Sequence, residues 1–222
     1  MASHEFRSLL NTIDAHAQRL IAMREHLTAP ELAERAGRIR SAVRRMTHLH
    51  EELTGSAHLV DESGDLHYSP AEVNITAVLS DVCRLQRELT PEAHIRELNP
   101  SKLPPVQGDA TLLRQIFGNL LSNAVKYSPW AARIDVLARP HHDAVMVVVE
   151  DHGIGIPDEE CDRIFEHLYR ASNAGGVAGE GVGLYVVKTL LALHKGSIRV
   201  VSREGQGSRF EVQLPRRLTA VG

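Results

Sequence analysis

The sequence predicts an α+β protein, an N-terminal helical hairpin followed by an α/β sandwich with helices on one face of its sheet. Three observations carry this reading. The first 55 or so residues hold two stretches with heptad-like apolar spacing and a helix-start signal between them. A polar, turn-rich stretch follows. Beyond it, helical periodicity interleaves with short β-prone runs, some of them paired around turns, which marks a largely antiparallel sheet.

The hairpin begins with a helix over about Ala2 to His26, where Phe6, Leu10, Ile13, Ala17, Leu20 and Leu27 recur in steps of three and four. Thr28-Ala29-Pro30-Glu31 has the form of a capping box with Pro early in the first turn, so a second helix starts there. It carries Ile39, Val43, Met46, Leu49 and Leu53 and ends near Gly55. Two such helices cannot bury their seam alone. The simplest solution is a second copy, a four-helix bundle in a homodimer, with packing on the rest of the chain as the alternative.

His58 to Ser69 holds Asp61, Glu62, Ser63, Gly64 and Asp65 and reads as a linker, giving domains 1–57 and 70–217 joined by 58–69. In the second domain Glu72 to Ile75 reads as a short strand, Thr76 to Leu89 as a helix and Ala93 to Leu98 as a strand, before a break at Pro104-Pro105. Ile134 to Arg139 and Ala144 to Asp151 read as paired strands around Pro140 to Asp143, the second rich in valine. Val182 to His194 reads as a helix. Ser197 to Arg203 and Ser208 to Leu214 close with a hairpin whose turn holds Gly205 and Gly207.

Asp109 to Ser128 is the most informative stretch. Leu113, Ile116, Phe117, Leu120 and Ala124 form an apolar stripe. Asn119, Asn123, Lys126 and Tyr127 line another side of the same helix. Asn is a poor helix-interior residue because its amide competes for backbone hydrogen bonds, so two of them one turn apart suggest an external partner. Amide oxygens can coordinate a hard cation such as Mg²⁺ and a lysine can meet a phosphate; a solvated polar face is the bland alternative.

Two glycine-bearing stretches add to this. In Val149-Glu150-Asp151-His152-Gly153-Ile154-Gly155 a strand ends in a carboxylate, and glycines then let the backbone turn tightly against what Asp151 contacts. Such a carboxylate can accept the exocyclic amine of adenine. Gly175 to Leu184 is a loop running into a helix N-terminus, where glycines free backbone N–H groups to approach phosphate oxygens. No parallel β-α-β unit surrounds either loop, so a Rossmann site is excluded on context.

Composition bounds the rest. With 222 residues, 43% of them hydrophobic, the chain can build a sizeable core. A formal net charge of −3 offers no global field for nucleic acid, and no run of about 18 apolar residues could span a bilayer. The start MASHEFR lacks a signal-peptide core, and Cys83 and Cys161 stand apart in sequence, which fits a reducing, cytoplasmic location. The 13 histidines are scattered, and His48, His50, His141 and His142 are expected at the surface, not on a metal.

Taken together, these stretches resemble the signature boxes of sensor histidine kinases. His4-Glu5-Phe6-Arg7-Ser8-Leu9-Leu10 resembles the H box, Asn119 to Tyr127 the N box, Asp151-His152-Gly153-Ile154-Gly155 the G1 box, Phe165 to Arg170 the F box and Gly179 to Leu184 the G2 box. All five stand in family order. The resemblance implies a dimerisation and phosphotransfer hairpin followed by an ATP-binding domain of the Bergerat, or GHKL, type. It implies His4 as phosphoacceptor, Glu5 as its acid/base neighbour and Asn123 as the Mg²⁺ ligand with Asn119 close by. Lys126 becomes a phosphate contact, Tyr127 an adenine-site residue and Asp151 the adenine reader. Gly153, Gly155, Arg170, Gly179, Gly181, Gly183 and Leu184 complete the cofactor site.

Three positions depart from the family pattern. Leu9 stands where H boxes usually have Pro, Ser8 keeps a hydroxyl where Thr or Asn accompanies phosphatase activity, and Leu168 replaces an aromatic of the F box. The loop from Arg170 to Gly179 is short and Ala/Gly-rich and is expected to be a mobile lid with little structure of its own. The function implied is an ATP-dependent kinase that phosphorylates its own His4 and passes the group to an aspartate on a response regulator receiver domain. A non-catalytic phosphotransfer or scaffold dimer with a decayed ATP domain is the alternative. A GHKL ATPase or protein-serine kinase would lack the His4 hairpin.

Overall fold

The computed structural model describes residues 2–23, 28–54, 68–98, 103–128, 133–177, 179 and 181–217. The chain forms two compact units, residues 1–60 and 61–222. The first is a hairpin of α1 (Ala2–Ala22) and α2 (Ala29–Thr54). The Glu31 half of the expected capping box is present. Glu31 Oε2 accepts the Thr28 hydroxyl at 2.7 Å and the Thr28 amide at 2.9 Å, and these two bonds hold the Glu31 carboxyl below its usual range. Along the expected seam Ile13, Ala17, Leu20 and Ile39 are half-buried, whereas Leu10 and Val43 keep 51% and 46% of their surface exposed, and Ala42 beside Val43 is buried instead. One hairpin therefore covers its seam only in part. The side chains of Phe6, Met46, Leu49 and Leu53, and all of Leu27, lie outside the described residues.

The second unit is built on a five-stranded sheet. Its elements are β1 (Ala71–Val73), α3 (Ile75–Leu89), β2 (His94–Glu97), β3 (Val106–Gly108), α4 (Ala110–Lys126), β4 (Arg133–His141), β5 (Ala144–Asp151), α5 (Gly183–Leu193), β6 (Ser197–Arg203) and β7 (Gly207–Pro215). The sheet order is β2-β4-β5-β7-β6, with every neighbour antiparallel except the β2–β4 pair. A separate ribbon pairs β1 with β3, from Ala71↔Gly108 to Val73↔Val106.

Three details differ from the sequence expectation, each for a local reason. Ile75 opens α3 instead of closing a strand, because Asn74 caps the helix by accepting the Ala77 amide at 3.2 Å. The strand β3 was not expected, since three residues after a Pro-Pro break are too few to show an alternation. β4 runs on through Pro140 to His141, and β2 pairs only with Arg133 to Val136, so the missing Pro140 amide takes no bond from that neighbour.

One face of the sheet carries Ile95, Ile134, Val136, Ala138, Val145, Val147, Val149, Phe210, Val212 and Leu214, all buried under α3, α4 and α5. The α4 stripe of Leu113, Ile116, Phe117, Leu120 and Ala124 is buried against it as expected. The opposite face is roofed by ion pairs. Arg96 grips Asp135 with two bonds of 2.7 and 2.9 Å, and Arg199 and Arg209 converge on Glu211 at 2.6 and 2.8 Å. These guanidinium partners hold the Asp135 and Glu211 carboxyls below the usual range.

Because Leu120 is fully buried at the centre of this core, Leu120→Ala should cost about 2–5 kcal/mol in urea unfolding, against about 1 kcal/mol for loss of the α3 cap in Asn74→Ala. A Leu120→Ala cost below about 1 kcal/mol would show that α4 does not pack as placed.

Candidate functional site

α4 starts at Asp109, whose Oδ1 accepts the amides of Thr111 at 2.8 Å and Leu112 at 3.2 Å. With its apolar stripe turned into the core, the helix is left with Asn119, Asn123 and Lys126 on a half-buried side. That side meets the start of α5. The Asn119 amide donates to the Gly183 carbonyl at 3.4 Å, and a Cβ added at Gly183 would stand 4.0 Å from both Asn119 Cγ and Asn123 Nδ2. Lys126 lies over the Tyr127 ring at 5.5 Å, and Gly179 passes against its ammonium. Leu184 is half-buried beside Gly183 at the start of α5.

Asp151 closes β5 and is 5% exposed. Its Oδ1 accepts the Gly153 amide at 2.8 Å. Burial raises the Asp151 carboxyl above its ordinary value, opposed by the amides of Gly153 and Ser208. Gly153 is required sterically, because a Cβ would collide with the Tyr127 carbonyl and sit 2.8 Å from Asp151 Oδ1. The same carbonyl accepts the Ile154 amide at 3.0 Å, so the end of α4 is tied directly to the turn after β5. Gly155 adopts φ of +66°, with the Arg203 carbonyl where a side chain would stand.

The Arg170 to Gly179 loop has more structure than its composition led us to expect. It contains a 3-10 turn at Ser172–Ala174, and Arg170 donates to the carbonyls of Ala174 at 2.8 Å and Val177 at 2.5 Å. The Ser172 amide donates to Glu160 at 2.8 Å, and the Asn173 amide donates to the Gly155 carbonyl at 3.0 Å. One nitrogen of Arg170, Nη2, is thus engaged within its own loop. Asn173, which sequence reasoning missed, pins the loop to the turn after Asp151, and no periodicity in this stretch could have revealed it. Gly181, at φ of +77°, lets the chain pass the Tyr169 and Leu168 carbonyls on its way into α5.

Asn119, Asn123, Lys126, Tyr127, Asp151, Gly153, Gly155, Gly179, Gly181, Gly183 and Leu184 therefore gather at one end of the second unit. His4 and Glu5 lie in α1, with side chains outside the described residues. Ser8 is exposed on the same helix, and its carbonyl accepts the Thr12 hydroxyl at 3.0 Å. Among the described residues no group of three or more His, Cys, Asp or Glu could hold a metal, and no helix is long and apolar enough to cross a membrane.

Residues 108–218 match the family described as histidine kinase-, DNA gyrase B-, and HSP90-like ATPase. The chain belongs to this ATPase family. The matched segment starts at the end of β3 and runs past β7, so it holds every residue of the gathered site. Among proteins, it is 32% identical to the sensor-like histidine kinase SenX3 of Mycobacterium tuberculosis over 98% of this chain and 53% of that protein. Among structures, it is similar to full-length ShkA in complex with AMPPNP (29% identity, TM-score 0.64, 99% of this chain and 45% of that one). It is also similar to the mycobacterial sensor histidine kinase MprB (26% identity, TM-score 0.58, 69% of this chain and 100% of that one). The chain spans about half the length of the curated relatives it matches. The α+β architecture with a GHKL-type ATPase domain is the one that the sequence implied, and its relatives are sensor histidine kinases.

The buried Asp151 makes the stability of this ATPase domain pH-dependent in a defined sense. A carboxyl raised in the folded state costs nothing below its unfolded value, and the cost grows with pH until it is complete above the folded value. Between those two values the parent should lose stability relative to Asp151→Asn as pH rises, and at neutral pH the variant should be the more stable. Parallel unfolding curves across that window for the two proteins would contradict the burial of a charge at this position.

Proposed function

We propose that the chain is the core of an ATP-dependent protein-histidine kinase of two-component signalling. The observation that carries this reading is the meeting of α4 and α5, where two side-chain amides and an ammonium face a glycine-bearing helix start beside a buried carboxylate. Each part has a use for ATP. Asp151 accepts the adenine amine, Tyr127 lies beside the base, and Lys126 with the backbone at Gly179, Gly181 and Gly183 meets the phosphates. The Asn123 amide makes no hydrogen bond among the described residues and stands beside Gly183, which suits a hard cation sharing its ligands with phosphate and water. Bound there, Mg²⁺ would neutralise phosphate charge.

His4 is the acceptor in this reading. A ring nitrogen of the neutral imidazole attacks the γ-phosphorus, the bond to the ADP oxygen breaks, a P–N bond forms, and Glu5 takes the proton from the other ring nitrogen. The phosphoryl group then passes to a carboxylate oxygen of an aspartate on a response regulator receiver domain. The naming of SenX3 and MprB as sensor histidine kinases supports this assignment. The exposure of Leu10 on α1 supports a homodimer in which a second hairpin completes a four-helix bundle.

Incubation with γ-labelled ATP and Mg²⁺ should place an acid-labile, base-stable phosphoryl group on the parent. Glu5→Gln should slow its accumulation by about a hundred- to ten-thousandfold. His4→Gln should accumulate none while still binding ATP, and Asn123→Ala should accumulate none even where nucleotide still binds. Undiminished labelling of His4→Gln would overturn the acceptor assignment.

A further inference from the structure

His194 is among the largest side chains in the core, 1% exposed, and no part of the proposed chemistry uses it. It caps the C-terminal end of α5. Its Nδ1 bonds the Leu190 carbonyl at 2.8 Å, and a neutral ring with the proton on Nδ1 leaves Nε2 as an acceptor. That nitrogen receives the Asp109 amide at 3.0 Å, the residue that caps α4. Gly108 leaves room for the contact, because a Cβ there would stand 2.6 Å from His194 Cδ2.

The position of this bond gives it its consequence. α4 and α5 pack antiparallel and are joined at two places, His194 to Asp109 at one end and Asn119 to Gly183 at the other. The two joints lie ten residues apart on α4 and eleven on α5, roughly 15 Å along each helix. The joint at the nucleotide end is the longer one, at 3.4 Å, and the His194 joint is 3.0 Å and buried. A slide of α5 along α4 is therefore resisted at His194 and felt at Gly183. The Asp109 side chain extends the clasp, since its Oδ2 accepts the Ser69 amide at 3.1 Å and the Tyr68 ring packs edge-on against His194 at 5.1 Å. Tyr68 and Ser69 end the stretch that the sequence marks as a linker, and both are held by this node.

We infer that His194 is a positioning residue for the nucleotide, clasping the far ends of α4 and α5 so that Gly183 stays in register with Asn119 and Asn123. It acts through the buried Nε2 acceptor. The inference rests on the proposed nucleotide site at the other end of the same helices.

The test compares His194→Leu, which fills the space without an acceptor, with His194→Gln, whose amide oxygen can reach toward Asp109. ATP affinity, the KM for ATP and kcat at saturating ATP are measured on the full chain, with circular dichroism to establish folding. His194→Leu should bind ATP about tenfold or more weakly and raise KM with kcat changed less than twofold or so, and His194→Gln should restore affinity to within about threefold of the parent. A folded His194→Leu with parental affinity, or a His194→Gln as weak as His194→Leu, overturns the inference. Should His194→Leu fail to fold, the parent decides: coupling is reciprocal, so saturating ATP should slow hydrogen exchange of the Asp109 amide, and unchanged exchange there overturns it. A parent that binds no ATP would instead refute the nucleotide site itself.

Discussion

The constraint on which the rest depends is that α4 must bury a continuous apolar stripe. Leu113, Ile116, Phe117, Leu120, Leu121 and Ala124 are each at most 2% exposed, and each fully buried Leu, Ile or Phe among them contributes about 1.5–3 kcal/mol. No rotation of the helix about its axis could keep that burial and bring Asn119 and Asn123 inside. That burial turns the two amides and Lys126 toward the start of α5. The bond from Asn119 to the Gly183 carbonyl, at 3.4 Å, is too long to do that work alone.

What the site gives up in stability follows from the same geometry. Asp151 sits buried with its carboxyl pushed up, and Gly153 packs so tightly against the Tyr127 carbonyl that no other residue fits. Gly155 and Gly181 hold positive φ against neighbouring backbone. A domain selected only to be stable would replace a buried lone carboxylate with an apolar side chain. On the opposite face, where the carboxylates of Asp135 and Glu211 are met by arginine, the charges are held down instead of up. The contrast between the two faces supports the ligand-binding role proposed for Asp151.

Much of this was legible in the sequence because it depends on period and on special residues. The α4 stripe, the valine-rich β5, the Thr28–Glu31 box and the glycines after Asp151 all announce themselves through spacing or conformational need. What could not be read was non-local. Asn173 reaches the Gly155 carbonyl across 18 residues and His194 reaches Asp109 across 85, and neither residue differs in its neighbourhood from an ordinary surface polar group. β3 is too short to carry a pattern, and Asn74 moved Ile75 from strand to helix by a cap that competes with β-propensity. The Arg170 to Gly179 loop looked structureless by composition because its order comes from Arg170 and from partners elsewhere in the chain.

Asp151 is proposed to read the adenine of a bound ATP, and base substitution is the most direct test of that role. Inosine triphosphate keeps the ribose and phosphates of ATP but replaces the exocyclic amine by a carbonyl, an acceptor where Asp151 also accepts. A charge-assisted hydrogen bond is worth about 1.5–3 kcal/mol, so the parent should bind inosine triphosphate at least roughly tenfold more weakly than ATP. Equal affinity for the two nucleotides would contradict the claim, because a site that recognises the amine through a buried carboxylate cannot be indifferent to its loss.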